Sequence, residues 1–282
     1  MSQMFHARIM SSEDLEFAVR ITDQMGWHLA IEDFGFMEEL EPEGCFVLLS
    51  DLDKIGIATT ISFGKIGWFG NLIVNEAYRK KGAGSLLVKH ALQYLKAKKV
   101  ETVGLYAYIE RIPFYERLGF KYDSEFTVLS GKALSRPTKV VVIKAGKEDV
   151  QKIIDYDGLC FGASRRKLLE PVILDPDNLC CFTTEKGGIT GYGVAKVYRG
   201  MAEIGPLICS EGRSDVAINL LRAILNRLEG LEVSMCVPTR QEKILGMLKE
   251  SGVTENFKVV RMFLGASSVG KCVCAAESLE RG

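Results

Sequence analysis

The second half of this chain repeats the first, and that repeat limits what it can fold into. Glu13-Asp14-Leu15 returns as Glu148-Asp149-Val150, Cys45-Phe46 as Cys181-Phe182, and Gly56 as Gly191. Gly70-x-Leu72-Ile73 returns as Gly205-x-Leu207-Ile208, Leu86-Leu87 as Leu220-Leu221, and Gly119-Phe120 as Gly252-Val253. The offset stays near 135 residues and drifts by only two. Matches in order and almost in register describe a duplicated unit. A chain of 282 residues is long for one domain and comfortable for two. The seam falls over 131–138, where Ser135-Arg136-Pro137 interrupts the pattern as a linker would. The expected domains are therefore 1–134 and 138–282.

Both copies give one coarse reading. A short strand (7–9; 139–143) leads into a helix capped at Ser11 or Ser12 in the first copy and near Gly146 in the second. An irregular helical stretch reaches Glu39 and Glu170. Three strands follow, at 45–50, 54–63 and 68–74, echoed at 180–184, 191–197 and 202–208. A long helix, a strand, a short helix and a final strand pair close each unit. The class is α+β, a mixed and mostly antiparallel sheet flanked by helices.

Chemistry concentrates where the third strand of the first copy ends. Gly70-Asn-Leu-Ile-Val-Asn-Glu-Ala-Tyr-Arg-Lys-Lys-Gly-Ala-Gly84 runs from an apolar strand into a basic, glycine-bearing turn. An amphipathic helix follows, with Leu86, Leu87, Ala91, Leu92 and Leu95 on one face. The first N–H groups of a helix have no intrahelical acceptor, and the helix dipole adds positive potential there. Strand, glycine turn and helix start together form a phosphate trap. Gly82 and Gly84 allow close approach to the backbone, and Arg79, Lys80 and Lys81 add cationic charge. The side chains of Lys80 and Lys81 are open to two readings, phosphate contacts or a solvated pair. Neither G-x-G-x-x-G nor a Walker loop is present, which disfavours a Rossmann-type nucleotide enzyme.

The pattern Arg79-x-x-Gly82-x-Gly84 resembles the acetyl-CoA signature of the GNAT N-acetyltransferase superfamily. Downstream, Phe114-Tyr115-Glu116-Arg117-Leu118-Gly119-Phe120 resembles its second signature, a tyrosine-bearing helix followed by Gly-Phe at the entry to a strand. The resemblance implies tandem GNAT-like domains, the first binding acetyl-CoA. It implies two neighbouring parallel strands, here 68–74 and 103–108, that splay apart to admit the pantetheine arm. The backbone of Leu72, Ile73 and Val74 would pair with that arm, and one N–H there would polarise the thioester carbonyl. These residues also read as ordinary central strand, and both readings can hold together. Amides over Lys80, Lys81, Gly82, Ala83, Gly84 and Ser85 would take the pyrophosphate, with Arg79 beside them. Tyr115 would protonate the departing thiolate; the bland alternative is a half-buried aromatic. The family often carries Asn seven residues before this tyrosine and Ala four before it, where this chain has Tyr108 and Arg111. Tyr108 would then orient the thiol end differently, and Arg111 would reach the 3′-phosphate.

The second copy departs from the first where chemistry would occur. Arg79-x-x-Gly82-x-Gly84 falls on Arg213-x-x-Val216-x-Ile218, and Tyr115 falls on Leu248. Branched side chains stand where a phosphate must approach, and the acid is missing. The second copy is expected to bind no coenzyme A. It would instead pack against the first, complete an acceptor pocket or mediate a homodimer. The alternative to an enzyme is a non-catalytic acyl-CoA-binding or regulatory module.

The acceptor implied is a primary amine, on a small molecule or a peptide, and something must take its proton. The helical stretch before the second strand reads Trp27-His28-Leu29-Ala30-Ile31-Glu32-Asp33-Phe34, and Glu38, Glu39, Glu41 and Glu43 follow. Glu32, Asp33 and His28 are the candidate bases. That carboxylate field suits a cationic acceptor, and it reads equally as a solvated helix end and loop. Transfer would be by direct attack, since no cysteine lies in the matched motifs. Lys plus Arg and Asp plus Glu number 36 each, which gives no global field for nucleic acid or an anionic membrane. No apolar leader or bilayer-spanning stretch is read. The eight cysteines, irregularly spaced, point to reduced thiols and the cytoplasm, and no metal site is expected.

Overall fold

Alternating and all-apolar strand segments separated by 3.6-period helices fold as the patterning requires. The structure, a computed structural model, describes residues 4–27, 29–135, 142–198, 200–266 and 270–282. It divides into two units. The first runs to Leu105 and takes in Leu264–Ala266 and Arg281; the second runs from Tyr106 to Phe263 and takes in 270–280 and Gly282. The expected seam at 131–138 lies partly outside the described residues.

The first unit contains β1 (Phe5–Ile9), α1 (Leu15–Asp23), α2 (Ile31–Leu40), β2 (Cys45–Ser50), β3 (Asp53–Phe63), β4 (Ile66–Val74), α3 (Ala83–Ala97) and the start of β5 (Thr102–Tyr108). β1 to β4 pair antiparallel in chain order, and β5 joins β4 in parallel. β2 is buried along its whole length. The helix α3 covers β3 and β4 with Ala83, Leu87, Val88, Ala91 and Leu95. Leu86 and Leu92 are half-buried at the margins of that face, and Val88 lies within it. The cap before α1 is Ser11: its N–H and hydroxyl both donate to Asp14 Oδ2, at 2.9 and 3.0 Å. Asp14 is fully buried and holds Arg8 at 2.6 Å and Lys54 at 2.5 Å.

The second unit contains α4 (Ile112–Glu116), β6 (Lys121–Lys132), β7 (Ile143–Lys144), α5 (Val150–Phe161), α6 (Arg166–Leu174), β8 (Leu179–Glu185), β9 (Gly188–Tyr198), β10 (Met201–Cys209), α7 (Ser214–Arg227), β11 (Glu232–Pro238), α8 (Glu242–Glu250), β12 (Val253–Leu264) and β13 (Val273–Ala275). Its sheet runs β7-β8-β9-β10-β11-β6-β12, with β13 also paired to β10. Gly146 caps as expected, its N–H donating to Asp149 Oδ2 at 3.1 Å. The strand pair expected to close the first copy is instead the single strand β6. Both its edges are taken within the second unit, by β11 on one side and β12 on the other. Backbone groups at a strand edge need partners, and β11 and β12 supply them on the two edges of β6.

Candidate functional site

In the first unit β4 is not a regular strand. Ile57 pairs with Ile73 and Thr59 with Gly70, so β4 advances three residues while β3 advances two. The extra residue makes a β-bulge, and Asn71 takes a left-handed conformation within it (φ 50°). Asparagine tolerates that region better than most residues. Its side-chain amide donates to Thr59 Oγ1 at 3.2 Å, which holds the kink in place. The bulge re-aims the backbone of Leu72, Ile73 and Val74. Pairing of β4 with β5 stops early: Ile66, Gly67 and Trp68 face Thr102, Val103 and Gly104, and no ladder partner on β5 follows. The two parallel strands therefore part beside the bulged segment.

Beyond Val74 the chain passes a short 3₁₀ turn, Glu76–Tyr78, held by Ala77 N–H donating to Asn75 Oδ1 at 3.1 Å. Lys80 (φ 61°) and Gly82 (φ 89°) are both left-handed, and α3 starts at Ala83. The first helical bond runs from Leu86 N–H to Gly82 O at 3.0 Å. The amides of Ala83, Gly84 and Ser85 thus form the open end of the helix. A Cβ built on Gly82 meets no protein atom within 4 Å. Its conformation, rather than crowding by the protein, calls for glycine. Lys80 and Lys81 are exposed, and Lys81 Nζ lies 5.8 Å from the centre of the Tyr78 ring. The Arg79 side chain turns back: Nε donates to Val74 O at 2.8 Å, and Nη2 reaches Met25 Sδ at 3.6 Å.

The candidate acceptor stretch becomes α2. Asp33 is a helix-capping acid, its Oδ2 accepting Ala30 N–H at 2.7 Å. Glu32, one residue earlier, is exposed. His28 lies outside the described residues. The run from Glu38 to Glu43 is not a uniform solvated field. Glu41 is buried, with Oε1 accepting the Tyr94 hydroxyl at 2.5 Å and Oε2 accepting Ser62 N–H at 2.8 Å. Burial, then that bond, pushes the Tyr94 phenol up. Glu43 pairs with Lys98 at 3.5 Å. Burial, with Asp14 nearby, raises the Glu38 carboxyl.

Tyr108 and Tyr115 belong to the second unit. Tyr108 packs on Phe257 with ring centres 5.5 Å apart. Tyr115, on α4, is 7% exposed and packs edge-on against Phe114 and Phe120. Burial raises its phenol well above the ordinary value, with Arg111 opposing.

The turn of the second copy is built differently. Arg213 holds Glu185 at 2.7 Å and Asp215 at 3.0 Å. Asp215 sits in the first turn of α7; its bond to Arg213 and bonds from backbone amides there pull its carboxyl down. The helix start that would attract a phosphate already carries a carboxylate. Val216 is buried and Ile218 packs against the core.

The bulge at Asn71, the left-handed Lys80 and the Arg79–Val74 bond are not read from the sequence. A Gly-Asn pair inside a strand is the signal that could have found the first. Among the described residues no group of three or more His, Cys, Asp or Glu side chains is placed to hold a metal ion, and no helix is long and apolar enough to cross a membrane.

A family model described as "Acetyltransferase (GNAT) family" matches residues 8–120, and one described as "Acetyltransferase (GNAT) domain" matches 153–271. The uncharacterized N-acetyltransferase YitH of Bacillus subtilis (strain 168) is 23% identical over 250 residues, 86% of each chain. The crystal structure of a candidate acetyltransferase from Pyrococcus horikoshii superposes with a TM-score of 0.80 at 23% identity, covering 99% of this chain and 96% of that one. A GCN5-related N-acetyltransferase from Sphaerobacter thermophilus superposes with a TM-score of 0.69 at 15% identity, covering 95% and 98%. The chain belongs to the GNAT acetyltransferase superfamily and carries two of its domains in tandem.

Proposed function

We propose that the first unit binds acetyl-CoA and that the protein transfers its acetyl group to a primary amine. The observation that carries this reading is the bulged end of β4 beside the parting of β4 and β5, followed directly by the glycine turn and the open start of α3. A pantetheine arm carries amides that pair with a strand edge, and a diphosphate suits free amides at a helix start. In this proposal the backbone of Leu72, Ile73 and Val74 takes the arm, and one of its N–H groups polarises the thioester carbonyl. The amides of residues 80–85 take the pyrophosphate. Arg79, bonded to Val74 O, sets the distance between those two binding segments.

The neutral amine attacks the thioester carbonyl directly and gives up its proton to a base, the tetrahedral intermediate collapses, and coenzyme A leaves as a thiolate whose protonation is the role the family resemblance gives Tyr115. Burial raises this phenol, which keeps it protonated across neutral pH and makes it a weaker donor than an exposed tyrosine, so positioning rather than acidity carries its contribution. Glu32 and Asp33 are the proposed proton acceptors, and Asp33 also caps α2 by holding the Ala30 amide. The second copy, with Asp215 at its helix start, binds no coenzyme A. Eight free thiols fit a cytoplasmic protein.

A panel of amines, cationic ones included, tests the reading by coenzyme A release from acetyl-CoA. Acetylation of at least one amine is expected. Acetyl-CoA binding without turnover of any amine would favour a sensor, and absence of binding would remove the proposal.

A further inference from the structure

The second unit has a wedge of its own, and the chain fills it. β10 and β11 are parallel and pair only at Met201, Ala202 and Glu203 against Glu232, Val233 and Ser234. Past that point they part, as β4 and β5 do in the first unit. A bulge falls at the matching place, between Ile204 and Leu207, where Gly205 and Pro206 stand in register with Gly70 and Asn71. β13 then lies against the bulged strand. Leu207 pairs with Ala275 and Ile208 with Val273, while Cys209 N–H donates to Cys272 O at 3.0 Å. On the far side Ala276 N–H donates to Cys236 O of β11 at 2.9 Å. The segment thus bonds to both walls of the wedge. Leu207, Ile208 and Cys209 are the counterparts of Leu72, Ile73 and Val74. Among the described residues no strand occupies that position between β4 and β5.

The segment continues along a polar clamp. Lys196, itself 8% exposed, donates to Glu277 O at 2.8 Å and to Glu277 Oε1 at 2.6 Å, and pairs with Glu203 at 2.8 Å. Buried Arg165 holds Asp157 and also donates to Gly282 O at 2.5 Å. Tyr192 donates to Asp157 Oδ1 at 2.6 Å, closing the network. Gly205 leaves room for this path: a Cβ there would lie 2.0 Å from Ala276 O. Residues 273–278 are all buried although Glu277 and Ser278 are polar. Such burial is sustained only where every polar group finds a partner.

We propose that the second unit is a strand-binding clamp whose occupant is residues 272–282 of its own chain, seated where an extended ligand would pair. The ligand class is an extended peptide, recognised by main-chain bonds to β10 and β11 and by a carboxylate on Lys196. The parallel with the pantetheine slot rests on the proposed function of the first unit; the peptide pairing does not.

The test uses the full chain and a fluorophore-labelled synthetic peptide copying residues 270–282. In the unaltered protein the amides of 273–277 should exchange hydrogen at least 100-fold more slowly than in the free peptide. Cys274 should resist alkylation to the same degree, and no labelled peptide should bind. Ala276→Pro removes the amide that bonds Cys236 O, so Cys274 should alkylate at least 10-fold faster and one labelled peptide should bind per chain. Unprotected 273–277 amides in the unaltered protein would overturn the proposal without any variant. So would a folded Ala276→Pro chain that keeps Cys274 protected and binds no peptide. Coenzyme A stoichiometry separates this inference from the first: two per chain overturns the clamp, whereas none removes only the proposed function.

Discussion

Arg79 Nε donates to Val74 O at 2.8 Å, which ties the glycine turn to the last residue of the bulged strand. The guanidinium thereby fixes the spacing between the strand segment and the helix start. A hydrogen bond from a charged donor contributes about 1.5–3 kcal/mol. Arg79→Met is expected to weaken acetyl-CoA binding about 10-fold and, with that bond lost, to lower the melting temperature by a few degrees. Calorimetric titration checks it, and an unchanged Kd would show that the tie is dispensable.

Gly82 has φ 89° and open space where a Cβ would stand. Alanine there meets only the backbone cost of a left-handed residue, about 1–2 kcal/mol. Melting of Gly82→Ala without ligand should therefore change by a few degrees. The acetyl-CoA Kd of Gly82→Val should rise much further, at least 10-fold, if a diphosphate lies against this turn. Equal losses in free and bound protein would place the diphosphate elsewhere.

Tyr115→Phe keeps the packing on Phe114 and Phe120 and removes only the hydroxyl. A general acid is typically worth ~10²–10⁴-fold, so kcat should fall within that range while the KM for acetyl-CoA stays within about twofold. Burial lifts the phenol above its ordinary value. The rate profile of the unaltered enzyme should accordingly show no loss of the donor up to about pH 10. Steady-state kinetics across pH settle both points.

Asp14 is buried, which alone would raise its carboxyl, but the bonds from Arg8, Lys54 and Ser11 outweigh burial and hold it well below the usual range. A lowered folded value means stability that is present above the unfolded carboxylate range, near 3.9, and lost as the pH falls through the folded value. Asp14→Asn should cost about 1–3 kcal/mol at pH 7. The gap between variant and parent should narrow steadily below about pH 4 in urea unfolding. A gap that holds constant into acid would contradict the assignment.

β6 has β11 on one edge and β12 on the other. A chain of residues 1–134 lacks both partners, and two long unpaired strand edges invite association. Expressed alone it should aggregate, or elute as oligomers in size-exclusion chromatography, where the whole chain gives one discrete species. A stable monomer with native circular dichroism would show that β6 finds other partners.

Much of this fold is legible because side-chain period is local. Cys45–Ser50 is apolar throughout and forms a buried strand, and Leu87, Ala91 and Leu95 recur at helical spacing and bury one face of α3. Glu13-Asp14 and Glu148-Asp149 are echoed because each carboxylate caps the same turn. The acidic stretch after α2 misleads for the opposite reason. Nothing in its composition separates Glu41, buried under Tyr94 and the Ser62 amide, from Glu43 beside Lys98 at the surface. Partners 21 and 53 residues away make that difference.

The sequence by itself determined that there are two copies, that each is α+β, and that the glycine turn is intact in one copy and altered in the other. Those facts rest on periodicity, on repeats and on residue types that act within a few positions of each other. Tertiary structure alone decided that β6 joins the strands of the second unit, that Arg79 turns back onto Val74, and that residues 272–276 fill the second wedge. Each of these depends on main-chain donors and acceptors meeting across long separations. A backbone amide has the same chemistry at every position, so the sequence cannot mark which carbonyl it will find.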